Sequence, residues 1–141
     1  MMNVHRGENP CRSGLPGIAP DGAFPLAVVS GSGIVLDSLF DNIAERIPFD
    51  AIPGLPRGAV PGHAYEFVRG DCTGRPLILQ CGRLHFYEGF DVDTVTRTVD
   101  VLRDFGARAV LFTAAAGGIK PEIGPGDIVG IEGVRLCRCL R

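Results

Sequence analysis

Short apolar runs, each bounded by glycine, proline or small polar residues, recur along this chain. Runs of four or five apolar residues are typical of buried β-strands. They predict strands at residues 25–29, 65–68, 76–80, 109–113 and 128–131. The turn-forming segment 71–74 separates the second strand from the third, so we expect these two strands to form a hairpin.

Helical spacing of apolar residues occurs at two places between these strands. The longer one predicts a helix over residues 91–105, with Asp91 as its N-cap and Gly106 just after its end. Its apolar stripe is expected to face the core and consists of Val92, Val95, Val99, Leu102 and Phe105. The shorter spacing, at Leu36, Phe40 and Ile43, predicts a helix after the first strand. Alternating strands and helices indicate an α/β protein.

Composition narrows the classes of protein that remain. A chain of 141 residues with 45% hydrophobic content is expected to form one domain with a core. The net charge of −2 argues against a nucleic-acid partner, and no apolar run is long enough to span a membrane. Five cysteines without paired spacing, and a polar start unlike a signal peptide, favour reduced thiols in the cytoplasm. Residues 1–22 lack periodicity and are expected to be a flexible arm.

Candidate chemistry is concentrated in the segment 80–89, which follows the third predicted strand. Arg83 and His85 are two residues apart, so on an extended backbone both side chains leave the same face. A guanidinium beside an imidazole suits an anion such as phosphate. Tyr87 continues the alternation and suits a sugar. A solvated loop after a strand is the alternative interpretation.

Three further segments have features of an anion or sugar site. Gly31-Ser32-Gly33 joins a predicted strand to a predicted helix, an arrangement that directs backbone N–H groups and the Ser32 hydroxyl at an anion. His63 lies where a loop meets a strand, and the small residues 114–118 allow a ligand to approach the backbone. Each also has a purely structural interpretation: a connecting turn, a structural histidine and a tight turn. Neither a Walker lysine nor a dinucleotide fingerprint is present.

Taken in order, these segments resemble the trimeric purine nucleoside phosphorylases, in the superfamily that includes methylthioadenosine phosphorylase. The resemblance runs from about Ala23 to Glu132 and implies a phosphorylase/hydrolase-like mixed central sheet flanked by helices. The Arg-x-His-x-Tyr-Glu-Gly pattern favours the nucleoside phosphorylase branch. The matching motifs are Gly31-Ser32-Gly33, Pro61-Gly62-His63-Ala64, Gly82-Arg83-Leu84-His85-Phe86-Tyr87-Glu88-Gly89, Ala115-Ala116-Gly117-Gly118 and Pro125-Gly126-Asp127.

The resemblance also implies roles for individual residues. His85 and Glu88 would be catalytic, with Glu88 orienting the cluster, and Tyr87 would lie against the ribose. Inorganic phosphate would be held by Ser32, His63, Arg83, His85 and the backbone N–H of Ala115. The implied reaction is the phosphate-dependent cleavage of purine nucleosides to base and ribose 1-phosphate, in purine salvage. The resemblance also implies a homotrimer, and the reaction needs neither a metal nor an organic cofactor.

The chain also departs from the family pattern. Ile34-Val35 and Ala114 replace an expected glycine and an expected asparagine, and the resemblance covers only the first half of the family's fold. We therefore expect an incomplete sheet with an exposed edge. The atypical segment 133–141 suggests a truncation or a frameshift; its Cys137 and Cys139 lack further metal ligands nearby.

Three alternatives to a complete phosphorylase remain open. The first is an inactive fragment that binds phosphate or a full-length subunit. The second is a relative of methylthioadenosine or methylthioinosine phosphorylase. The third is an unrelated α/β domain whose turns mimic these motifs.

Overall fold

The computed structural model describes residues 25–31 and 33–134. Within them the chain forms five strands and one α-helix. The strands are β1 (Leu26–Val29), β2 (Asn42–Pro48), β3 (Glu66–Cys72), β4 (Arg75–Cys81) and β5 (Ala109–Phe112), and the helix is α1 (Val92–Asp104). Single 3₁₀ turns occur at Asp37–Leu39, Phe49–Ala51 and Phe86–Glu88.

The strands form one mixed sheet in the order β2-β3-β4-β1-β5. Strand β1 runs parallel to both β4 and β5, whereas β3 is antiparallel to β2 and to β4. The predicted α/β class with a mixed sheet is therefore confirmed. Val29 is in register with both Gln80 and Phe112, so the three parallel strands end side by side. We call this row of carboxyl ends the carboxyl edge of the sheet. Ligands of α/β proteins commonly bind at such an edge.

Apolar side chains cover both faces of the sheet. On one face α1 packs over the sheet, and the ring of Phe67 contacts the rings of Phe49 and Phe105 at centroid distances of 4.8 and 5.5 Å. On the other face a smaller cluster is formed by Val28, Val68, Leu77 and Leu79. The two-sided burial explains why β4 reads as a continuous apolar run instead of an alternating one.

Helix α1 begins and ends where the sequence predicts. The Asp91 carboxylate accepts a 2.8 Å hydrogen bond from the Thr94 N–H, and Gly106 adopts a φ of +94° after the last turn. The predicted apolar stripe is wrong at two positions, because Val92 and Val99 are exposed while Thr98 and Val101 are buried. Thr98 is small, and its hydroxyl is within 3.4 Å of the Val95 carbonyl, so burying it leaves no polar group unsatisfied.

The predicted helix after β1 is wrong. Its residues form only the single turn Asp37–Leu39, and the chain then enters strand β2. Ile43 pairs with Gly70 of β3 instead of occupying a helix face. Three apolar residues at helical spacing are too few to determine the type of element. Pairing with β3 makes the segment a strand.

Two predictions about strands also need correction. Residues 128–131 have no regular structure and are exposed. Strand β5 forms as predicted but is not buried, with Leu111 and Phe112 53% and 60% exposed. The reason is its position: among the described strands, β5 is bonded to β1 alone. An exposed edge was expected without its position being predicted, and β5 is one of the two outer strands of the described sheet.

The described part of the chain contains no helix with the length and apolarity needed to cross a membrane. The predicted arm at residues 1–22 lies outside the described residues, as do Ser32 and residues 135–141. Gly133 and Val134, at the start of the predicted tail, are exposed and have no regular structure.

Candidate functional site

The turn after β1 lies directly against the segment that follows β5. The Gly31 N–H donates a 3.0 Å hydrogen bond to the Thr113 hydroxyl, which itself donates to the Val29 carbonyl. A Cβ on Gly31 would lie 2.7 Å from the Thr113 carbonyl oxygen and 2.9 Å from Cα of Ala114. Only glycine permits this approach. The two segments that carry Ser32 and Ala115 in the sequence are therefore adjacent.

The exit of β4 brings His63 to the same edge. Gly82 has a φ of +103°, and a Cβ there would lie 3.0 Å from Cβ of His63. The Arg83 N–H donates a 3.0 Å hydrogen bond to Nδ1 of His63. Nδ1 is thus an acceptor, and a neutral His63 carries its proton on Nε2.

Residues 83–88 leave the extended conformation after His85. Because Phe86–Glu88 is a 3₁₀ turn, Tyr87 does not continue the strand-like alternation predicted from the sequence. Its ring instead stacks on that of His85, with centroids 4.8 Å apart and planes 13° apart. The His85 ring meets the His63 ring edge-on at 5.4 Å. Three aromatic rings therefore form one contact chain.

We call His63, Arg83, His85, Tyr87 and Glu88 the cluster. The Glu88 carboxylate joins it to a preceding loop. One oxygen accepts from the Ala59 N–H at 2.8 Å and the other from the His85 N–H at 3.0 Å. Desolvation raises the pKa of Glu88, but these two hydrogen bonds, together with the fields of His85 and His63, outweigh it. The pKa of Glu88 is consequently lowered.

Two nitrogens of the cluster have no hydrogen-bond acceptor among the described residues. They are Nε of Arg83 and Nε2 of His85, and both atoms are buried. Buried polar atoms of native proteins are almost always partnered, so such a pair calls for an explanation. Burial, followed by the positive fields of His85 and Arg83, lowers the pKa of His63. An anion would accept hydrogen bonds from these buried donors, and its negative charge would offset the positive field around His63.

A cavity of about 200 Å³ lies beside the cluster. Its lining includes Gly31, Gly33, His63 and Gly82, so it meets the cluster at the last two of these residues. Arg83, His85 and Ala115 are not part of its lining. Ala115 is exposed in the segment after β5, beside the Ala114 that closes on Gly31.

Two carboxylates, Asp37 and Glu66, also line this cavity. Arg46 of β2 bridges them, with nitrogen–oxygen distances of 2.6 and 2.5 Å. The bridge ties the segment after the glycine turn to the start of β3.

The structure thus brings together five of the residues selected from the sequence: His63, Arg83, His85, Tyr87 and Glu88. Ala115 lies on the neighbouring segment, and Ser32 is outside the described residues. Sequence reasoning missed Tyr65, whose ring stacks on His63 at 5.5 Å. The one available signal was a tyrosine opening a buried strand, because a buried phenol needs a hydrogen-bond partner.

No group of three or more His, Cys, Asp or Glu side chains within the described ranges could hold a metal ion. The donors of the cluster are instead N–H groups, which bind anions.

Comparison with known proteins identifies the family of this chain. Residues 25–135 match the Phosphorylase superfamily, and the chain belongs to this family. The relatives include purine nucleoside phosphorylase 1 of Geobacillus stearothermophilus, 36% identical over 107 residues, which are 76% of this chain and 38% of the relative. Purine nucleoside phosphorylase of Bos taurus is 40% identical over 109 residues, 76% of this chain and 37% of the relative.

Solved structures give the same relationship. Purine nucleoside phosphorylase of Schistosoma mansoni in a complex with BCX-34 superposes with a TM-score of 0.63 at 30% identity. Isoform 2 from the same organism, in complex with cytosine and ribose-1-phosphate, superposes with a TM-score of 0.61 at 36% identity. The matches cover 74% of this chain and 38% and 36% of those chains. The chain therefore spans little more than a third of the length of the relatives it matches.

Proposed function

We propose that this chain carries the phosphate site of a purine nucleoside phosphorylase. The reaction is the cleavage of purine ribo- or deoxyribonucleosides by inorganic phosphate, giving free base and (deoxy)ribose 1-phosphate, in purine salvage. The observation that carries the proposal is the pair of buried nitrogens without an acceptor, on Arg83 and His85. The names of the relatives support the choice of substrate.

Phosphate is held by Arg83 and His85 through those nitrogens, with His63 close by. Ser32 and the backbone N–H of Ala115 complete the cradle from the turn after β1 and the segment after β5. The adjacency of Gly31 and Ala114 supports this part of the proposal, because it puts the two segments side by side. Arg offers a planar fork to an anion, and His offers a donor on a rigid ring.

Catalysis follows from holding phosphate beside the sugar. Tyr87 lies against the ribose, and His85 and Glu88 are the catalytic pair, with Glu88 fixing the position of His85 through its backbone N–H. As the bond between the base nitrogen and C1′ breaks, its electron pair leaves with the base. The sugar becomes oxocarbenium-like and positive, and the bound phosphate dianion stabilises that charge before its oxygen bonds to C1′.

The remaining features of the proposal concern the protein as a whole. Phosphate is a co-substrate, and no metal or organic cofactor takes part. We further propose a homotrimer that works in the cytoplasm.

The test is to incubate the purified chain with inosine and phosphate and to follow hypoxanthine release. Guanosine and adenosine in parallel reactions report the base preference. R83K keeps the charge but loses the planar fork, and it should weaken phosphate binding about 10-fold or more, because a charged hydrogen bond contributes about 1.5–3 kcal/mol. R103K is the matched control, since Arg103 is exposed on α1 and pairs with Asp100.

A second candidate is phosphate binding without turnover by this chain alone. The observation that favours it is coverage: the chain matches only 38% of the Geobacillus stearothermophilus relative. Phosphate binding that R83K weakens, with no hypoxanthine release, would support this candidate. Equal phosphate affinity of R83K and the parent chain would overturn the site itself.

A further inference from the structure

Tyr65 has an unusual backbone for a buried side chain. Its φ is +54°, in the left-handed region, while the residue is only 2% exposed. A bulky residue rarely adopts this conformation, and it persists only where the surroundings hold it. Such strained residues cluster at functional sites.

The ring of Tyr65 packs between the core and the proposed site. It stacks on His63 with planes 28° apart and meets Phe49 edge-on at 5.9 Å. Gly58 lies so close that a Cβ on it would be 2.5 Å from the tyrosine ring. The loop that precedes His63 is therefore packed directly against Tyr65.

The hydroxyl of Tyr65 continues the connection. It accepts a 2.8 Å hydrogen bond from the Val60 N–H. Glu88, whose carboxylate accepts from the neighbouring Ala59 N–H, lies close enough for its charge to raise the pKa of Tyr65. Desolvation first, and Glu88 further, raise the pKa of Tyr65 above its ordinary value of 10.0, so the phenol is protonated at neutral pH. Two successive loop N–H groups are thus held by Tyr65 and Glu88 together.

We propose that Tyr65 is a positioning residue that joins the loop 56–62 to the anion site by fixing both the His63 ring and the Glu88 carboxylate. The identity of the anion as phosphate rests on the function proposed above. An apolar core role would explain the ring but not the hydroxyl, because phenylalanine fills the same space without a donor. It would not explain the left-handed backbone either.

The test compares Y65F with the parent chain, since this variant keeps the ring and removes only the hydroxyl. Phosphate is titrated while the imidazole resonances of His63 and His85 are followed by NMR. Losing one hydrogen bond that helps to order the site should weaken phosphate affinity about fivefold. T98V is the matched control, because it removes a buried hydroxyl on α1, and its affinity should be unchanged.

Amide hydrogen exchange provides a readout that a packing role would not move. In Y65F without phosphate, exchange at Ala59 and Val60 should accelerate about tenfold, while the capped Thr94 amide keeps its rate. By reciprocity, phosphate should slow exchange at Ala59 and Val60 in the parent chain.

The outcomes separate this inference from the proposed function. A parent chain that binds no phosphate overturns the proposed function, yet loosening of Ala59 and Val60 in Y65F would still support the positioning role. A parent chain that binds phosphate, with equal affinity in Y65F, overturns the positioning role. Should Y65F fail to fold, the parent chain decides: no effect of phosphate on exchange at these two amides overturns the inference.

Discussion

The backbone N–H of Arg83 donates to Nδ1 of His63 across 20 positions of sequence, at 3.0 Å. The bond holds the loop before β3 against the segment that leaves β4. It also fixes which ring nitrogen of a neutral His63 carries the proton, because Nδ1 must be unprotonated to accept. A doubly protonated imidazole has no acceptor and would lose this bond. Protonation of His63 and the geometry of the site are therefore linked.

This linkage predicts a pH dependence of stability. Desolvation, then the fields of His85 and Arg83, lower the pKa of His63 below its ordinary value of 6.5. The unfolded chain then binds more protons than the folded one, so this contribution is complete above pH 6.5 and is lost as the pH falls through the folded pKa. Urea unfolding at pH 7.5 and 5.5 should show a larger loss for the parent chain than for H63N. Equal losses would contradict the prediction.

Glu88 should behave in the same sense at lower pH. Its pKa is lowered overall because the N–H groups of Ala59 and His85 outweigh desolvation. Its contribution is therefore present above about pH 4.5 and lost as the pH falls through the folded pKa. E88Q should cost about 1 kcal/mol at pH 7, since one N–H loses a good acceptor at a partly exposed site. Chemical denaturation at pH 7 and pH 3.5 measures both effects; a cost that persists undiminished at pH 3.5 would argue against them.

Gly31 should not tolerate a side chain. G31A would bring a Cβ within 2.7 Å of the Thr113 carbonyl and separate the turn after β1 from the segment after β5. Overpacking of this kind costs about 1–3 kcal/mol. G117A is the matched control, since a Cβ there meets nothing within 4 Å. Thermal denaturation of both variants measures the difference, and similar midpoints would refute the close approach.

Arg46 should stabilise the chain in a salt-dependent way. Its two ion pairs with Asp37 and Glu66 are partly exposed, so R46A should cost about 1 kcal/mol at low salt. At 1 M salt the difference should shrink, because screening weakens exposed pairs. R103A, which removes the pairs of the exposed Arg103 with Asp100 and Asp104, is the control and should have a smaller effect, because the Asp104 contact is 4.0 Å long. A cost of R46A that is independent of salt would point to packing of its stem instead.

Local patterns were sufficient for much of the fold. The 3.6-residue spacing and the Asp91 cap located α1, and the turn at residues 71–74 located the β3–β4 hairpin. The polar cluster after β4 also stood out, since Arg83, His85 and Glu88 fall within one short segment bracketed by glycines. Such features depend on neighbours within a few residues.

Local patterns failed where distant partners decide the outcome. Strand β2 exists because β3 pairs with it, and Val99 is exposed because α1 turns Thr98 and Val101 to the sheet. Among the described residues no strand pairs with the short apolar run at 128–131, and the run remains exposed.

The sequence by itself determined the β3–β4 hairpin, the capped helix and the residue types able to hold an anion. Only the tertiary structure decided that Tyr65 and Glu88 hold the loop before His63, and that Arg83 holds His63 itself. The physical reason is that these bonds use backbone N–H groups, which every residue except proline carries and no sequence pattern distinguishes. Their pairing is selected only when the sheet brings distant segments to one edge.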